Sequence, residues 1–141
     1  MKRIISIAIA IILTIALASC STASGTSESS AEPDGLSELE TRSLKESLAN
    51  GKPTLADFGG TNCVSCRAMK ITLEELDPVY RDRVNLVIVL EDGNEDLFIE
   101  YRIMAIPTQV FFDSSGKPIT GHVGYMEKEA ILAQFKEMGI E

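Results

Sequence analysis

Cys63-Val64-Ser65-Cys66 is the one place in this 141-residue chain where two thiols lie close enough in sequence to act together. The pair follows a short apolar run, residues 54–58, and opens a stretch of helical periodicity, residues 67–80. Paired thiols do either redox or metal chemistry. A Cys-x-x-Cys at a strand-to-helix junction has the layout of a redox dithiol, because the N–H groups and positive dipole end of a helix favour a thiolate there. Cys63, at the helix start, is then the attacking nucleophile, and Cys66, one turn further in, the less exposed resolving thiol. The alternatives are a static disulfide and a zinc or copper site, with His122, the only histidine, as a third ligand. A lone imidazole on a strand far from the pair reads more simply as a solvated side chain. Met69, Met104 and Met126 read as packing residues.

A carboxylate stands six residues before the first thiol. Asp57 lies among Leu55, Ala56 and Phe58. Facing inward it would be desolvated and its pKa raised, which suits a proton acceptor for Cys66. Facing outward it would be an ordinary strand-end carboxylate.

The elements that must position these groups follow from periodicity and punctuation. Residues 37–49 carry Leu39, Leu44 and Leu48 at loose helical spacing and end at Asn50-Gly51. Residues 53–58 form a strand, and Gly59-Gly60-Thr61-Asn62 leads into the helix that carries both cysteines. Met69, Leu73, Leu76, Val79 and Tyr80 give that helix an apolar face, with Pro78 set to kink or end it. Arg67 and Lys70 add positive charge near its start. Residues 84–90 are apolar except for Asn85, as in a strand covered on both faces. Residues 94–101 read as a short helix with Asn94 at its cap. Residues 107–113 and 119–123 form strands around a turn at 114–117, and residues 126–138 a closing amphipathic helix. One α/β domain results, with parallel crossovers, an antiparallel terminal hairpin, and helices on both faces of the sheet.

Asp57-Phe58, Cys63 to Arg67, Ala105-Ile106-Pro107-Thr108, and Gly121 with Val123-Gly124 together resemble the thioredoxin superfamily over essentially all of residues 36–141. The resemblance implies a thioredoxin-like fold, a central mixed sheet with helices on both faces. It implies thiol–disulfide exchange through Cys63 and Cys66 with no cofactor beyond their disulfide, and Asp57 as the buried proton acceptor. Pro107 matches the family's cis-proline, and Ile106 would dock a client by strand-like pairing; the alternative is an ordinary trans proline. The family's tryptophans are absent, with Asn62 and Gly59 in their places, and Ser65 replaces the proline between the cysteines. Asn62 is therefore placed with Ile106 and Pro107 in the client-binding lip, and a dedicated partner is expected rather than general disulfide reduction. Val64-Ser65 is similar to the pair found in membrane-linked disulfide reductases, which favours reduction.

The third cysteine belongs to the chain's entry route. Lys2-Arg3, an apolar run over residues 4–17, and Leu17-Ala18-Ser19 before Cys20 read as a signal peptide over residues 1–19. The run is shorter than the ~20 residues of a membrane span. Leu17-Ala18-Ser19-Cys20 resembles a bacterial lipobox, which makes Cys20 a lipidation site; ordinary cleavage leaving a free or paired Cys20 is the alternative. Residues 20–35 read as a flexible tether and 36–141 as the single domain. Without Lys2 and Arg3 the 13 basic residues fall to 11 against 21 acidic, a net charge of −10. That excludes a phosphate-backbone binder and leaves acylation to hold the chain at a membrane. The expectation is a monomeric, lipid-anchored, extracytoplasmic thiol–disulfide oxidoreductase. It would take electrons from a membrane donor protein and pass them to an exported client, an apocytochrome among the candidates. A CxxC metallochaperone and a noncatalytic adaptor of the same fold are the rival readings.

Overall fold

The computed structural model describes residues 36–141, so the signal segment, Cys20 and the tether lie outside the described residues. The centre of the domain is β1 (Thr54–Gly59), buried at all six positions. The sheet order is β2-β1-β3-β4, with β2 (Asn85–Leu90), β3 (Thr108–Phe112) and β4 (Pro118–Val123). β2 runs parallel to β1, joined to it by the crossover helix α3 (Val64–Tyr80). β3 is antiparallel to β1, and β4 to β3. The expected mixed sheet is present, with one parallel pair.

Period-two alternation splits the core between the two faces. Leu55, Leu86, Ile88 and Phe111 pack with Met69, Leu73 and Leu76 of α3 and with Ile131 and Phe135 of α5 (Lys128–Glu137). Ala56, Phe58, Val87, Val89 and Phe112 pack on the other side with Phe98 of α4 (Glu95–Glu100). The apolar run at 84–90 is thus explained: its odd and even residues serve different cores.

The stretch expected as one helix over 37–49 is two helices, α1 (Glu38–Thr41) and α2 (Leu44–Ala49). Leu39 belongs to the α3 side of the sheet and Leu44 to the α4 side. A straight helix could not place both, so the chain bends around the edge strand β2. Arg42 is extended at the bend (φ −72°, ψ 129°), and Ser43 restarts the helix by accepting from the Glu46 N–H. The Arg42 guanidinium fills the corner. It donates to both carboxylate oxygens of buried Asp77 on α3 (2.6 and 3.0 Å), to the Leu86 carbonyl (3.1 Å) and to Glu38 (2.8 Å).

Other local departures have equally local causes. Asn94 precedes α4 but makes no side-chain cap; its amide donates to the Leu90 carbonyl (2.9 Å), tying the loop to the end of β2. α3 continues two residues past Pro78 and then ends. The 114–117 turn is organised by Asp113, which accepts from the N–H groups of Ser115 and Lys117. Gly116 there has φ +78°, and a Cβ would come within 2.9 Å of the Leu48 carbonyl, so both conformation and space require glycine.

Arg42→Ala leaves Asp77 buried with Arg81 as its one remaining basic partner (2.7 Å). Loss of hydrogen bonds to a buried charge is expected to lower the unfolding free energy by about 2 kcal/mol. Urea unfolding at pH 7 measures it, and Arg42→Lys should recover little, because an ammonium cannot make the two-pronged contact.

Candidate active site

β1 delivers the chain from the middle of the sheet to its rim, where residues 60–62 turn it into α3. Cys63 is the N-cap of α3, in extended conformation (φ −104°, ψ 120°), and its sulfur accepts from the Cys66 N–H at 3.1 Å. A thiol therefore takes the place usually filled by a Ser or Asp oxygen. No acidic residue occupies the first turn of α3, so the positive end of the helix acts on Cys63 without a neighbouring carboxylate to cancel it. Cys63 and Cys66 are joined as a disulfide with Cα atoms 5.2 Å apart. Cys63 is half-buried while Cys66 is only 6% exposed. An incoming group reaches the first sulfur and not the second.

Asp57 lies below this disulfide. The strand phase turns its side chain inward, to 1% exposure, on the same face as Leu55 and the α3 core. Burial raises its pKa from 3.8 to about 7, opposed by one hydrogen bond from Gln109. Gln109 Nε2 donates to Asp57 Oδ1 at 2.8 Å, from the directly paired position on β3. The second carboxylate oxygen lies on the side of Gly59. A Cβ built on Gly59 would lie 3.6 Å from Cys66 Sγ and 3.9 Å from Asp57 Oδ2, so sulfur and oxygen border the same small space.

The opposite wall comes from the loop before β3. The Ile106–Pro107 peptide bond is cis. The Pro107 carbonyl accepts from Gly124 N–H (2.8 Å), and Thr108 Oγ1 donates to the Ala105 carbonyl (2.7 Å). Among the described residues, neither the N–H nor the carbonyl of Ile106 has a backbone partner. Ile106, Asn62 and Cys63 line one cleft of about 250 Å³ with Leu90, Glu91 and Asp92. The lip combines this acidic edge with an exposed apolar residue, Val64, which is 74% exposed between the cysteines.

Several residues singled out from the sequence stand elsewhere. His122 is exposed on β4, its Nε2 3.3 Å from the Tyr125 carbonyl oxygen. Among the described residues, no three His, Cys, Asp or Glu side chains are grouped to hold a metal ion. Lys70 is drawn away from Cys63 into a 2.6 Å ion pair with Glu40. Met69 packs in the core as expected, but Met104, in the loop between α4 and β3, is 92% exposed. Gln109 was not singled out. Its signal was present as a long polar side chain inside the Thr108–Phe112 run, in a strand that must pair with something.

Known proteins resemble this chain in sequence and in fold. A model of the thioredoxin-like domain matches residues 41–139. A thioredoxin of Alicyclobacillus acidocaldarius is 31% identical over 100 residues, which cover 71% of this chain and 94% of that protein. A thiol:disulfide interchange protein TxlA homolog of Synechocystis is 37% identical over 83 residues, 57% of this chain and 46% of that one. The crystal structure of Fasciola hepatica thioredoxin superposes with a TM-score of 0.61 at 24% identity, covering 67% of this chain and 90% of its own, which speaks to the fold. The chain belongs to the thioredoxin-like family of thiol–disulfide oxidoreductases.

Proposed function

We propose that the chain is a lipid-anchored, extracytoplasmic disulfide reductase that acts on a dedicated client through Cys63. One observation carries the reading: a half-buried Cys63 sulfur at an uncancelled helix N-terminus stands over a buried Cys66 that shares its space with the Asp57 carboxyl. In the dithiol state, the Cys63 thiolate attacks a client disulfide, and one client sulfur leaves. Cys66 gives its proton to Asp57 and attacks Cys63 Sγ. The bond between Cys63 and the client breaks, and the second client sulfur leaves as a thiolate and takes up a proton. The client gains two electrons and the Cys63–Cys66 disulfide forms. An electron-donor protein at the membrane restores the dithiol by the reverse exchange.

The docking surface fits a peptide. The unpaired backbone groups of Ile106, beside Pro107, offer one N–H and one carbonyl for strand-like pairing, and Asn62 is an exposed polar group at the same cleft. The TxlA homolog's name supports disulfide interchange as the reaction. The anchor rests on Leu17-Ala18-Ser19-Cys20 and the location on the segment before it.

Cys66→Ser is expected to accumulate covalent adducts through Cys63 in the native host, and Cys63→Ser none. Non-reducing electrophoresis followed by mass spectrometry reads the result and names client and donor together. Equal trapping by both variants would refute the order of attack. Cys20→Ala should abolish acyl labelling and move the protein from the membrane to the soluble fraction.

Asp57 makes the same mechanism visible in stability. Its carboxyl titrates near 3.8 unfolded and near 7 folded, so between those values the folded chain holds a proton that the unfolded chain has lost. Stability is therefore full below about pH 4 and falls as pH rises towards 7, by on the order of 4 kcal/mol. Asp57→Asn should flatten this slope in denaturant titrations of the oxidised protein and leave the variant more stable than wild type at pH 8. The same variant should resolve mixed disulfides roughly a hundredfold more slowly at neutral pH. A variant that keeps both the slope and the rate would remove Asp57 from the mechanism.

A further inference from the structure

Among the described residues, burial leaves Asp57 with a single polar partner, and that partner's side chain makes no other hydrogen bond. Gln109 is 0% exposed, and its Nε2 holds Asp57 Oδ1 at 2.8 Å. Its Oε1 is buried with no hydrogen-bond partner among the described residues. A buried carboxamide oxygen without a donor costs about 1–3 kcal/mol, so an apolar residue of similar shape would suit the fold better at this position. The polar end of Gln109 therefore has one beneficiary.

We propose that Gln109 is the positioning residue of the resolving step: by occupying Oδ1 it fixes the carboxyl plane and leaves Oδ2, the oxygen that with the Cys66 sulfur lies within 4 Å of the same point beside Gly59, as the site that takes the proton. The inference rests on the thiol–disulfide reading above. The Cys66 S–H proton passes to Asp57 Oδ2 as the Cys66 sulfur attacks Cys63 Sγ. The Cys63–client bond breaks, and the departing client sulfur ends as a thiol. Without the Gln109 bond the carboxyl can rotate, and nothing offsets the burial of its charge.

The test follows Asp57 in the oxidised protein, where neither cysteine titrates. The other elements around Asp57 contribute few ionisable groups. β2 presents Ile88 at the paired position, α5 presents Ile131 and Phe135, α3 presents Cys66, and β4 carries the exposed His122 opposite Gln109. A His122→Asn background removes that histidine from the profile. In it, the ¹³C carboxyl signal of Asp57 is titrated with and without Gln109→Leu. The midpoint should rise by about one pH unit. The variant should be no less stable than its parent below pH 4, where the carboxyl is neutral in both states. Single-turnover resolution of a Cys63 mixed disulfide, made with a disulfide-bonded model peptide, should slow about five- to tenfold at pH 7. In an Asp57→Asn background Gln109→Leu should slow it no further.

An unmoved midpoint, or the same loss of rate without Asp57, would overturn the proposal. Destabilisation at low pH would mark Gln109 as structural and overturn it too. If Gln109→Leu does not fold, Gln109→Met, unbranched and nearer in length, takes its place. A wild-type protein that forms no mixed disulfide would refute the proposed function while leaving the titration to decide on Gln109.

Discussion

The chain keeps a carboxyl group in β1, the one strand among the described residues that is buried at every position. β1 is flanked by β2 and β3 within the sheet and by apolar cores on both faces, and its six residues are all buried. A charge there cannot be screened by water or by a basic neighbour. It can be neutralised by a proton or stabilised by a neutral hydrogen-bond donor. The structure supplies the second through Gln109 and leaves the first to chemistry. Because β1 also leads directly into the Cys63 turn, the cost of that burial is spent at the place where a proton must move.

α3 links this site to the rest of the fold through its two ends. Its first residue follows Cys63, and its last turns carry Asp77, which Arg42 and Arg81 grip. Seventeen residues of helix span about 25 Å. The ionic anchor therefore lies far from the disulfide, and its charges neither cancel nor reinforce the positive end at Cys63. Between the ends, Met69, Leu73 and Leu76 fix the rotation of the helix, which in turn buries Cys66 and leaves Val64 outside. The difference in exposure between the two sulfurs is thus set by core packing several residues away.

What could be read from the sequence was whatever depends on local spacing. Cys-x-x-Cys placed both thiols on the first turn of a helix, and the apolar neighbours of Asp57 raised the prospect of an inward carboxylate. The near-continuous apolar run at 84–90 marked a strand covered on both faces. What could not be read depends on long-range geometry. The break at Arg42-Ser43 arises because Leu39 and Leu44 must reach opposite faces of a sheet whose edge the chain rounds, and periodicity alone cannot see an edge. Gln109 acquires its meaning only when β3 pairs antiparallel to β1 and sets it opposite Asp57. Lys70 looked like a modulator of Cys63 until Glu40, thirty residues earlier, was brought within 2.6 Å.

The glycines before the cysteine turn are better explained by space than by backbone freedom. Neither Gly59 nor Gly60 has a positive φ, so a side chain at either would not strain the backbone through its conformation. A Cβ on Gly60 would stand 3.1 Å from Ile106 Cδ1, so the tip of that side chain would have to shift by a few tenths of an ångström. At Gly59 a methyl would fit at ordinary contact distance against Cys66 and Asp57. It would fit by filling the space the two groups share. Two small residues thus keep two approaches open, one between client and Cys63 and the other between Cys66 and its proton acceptor.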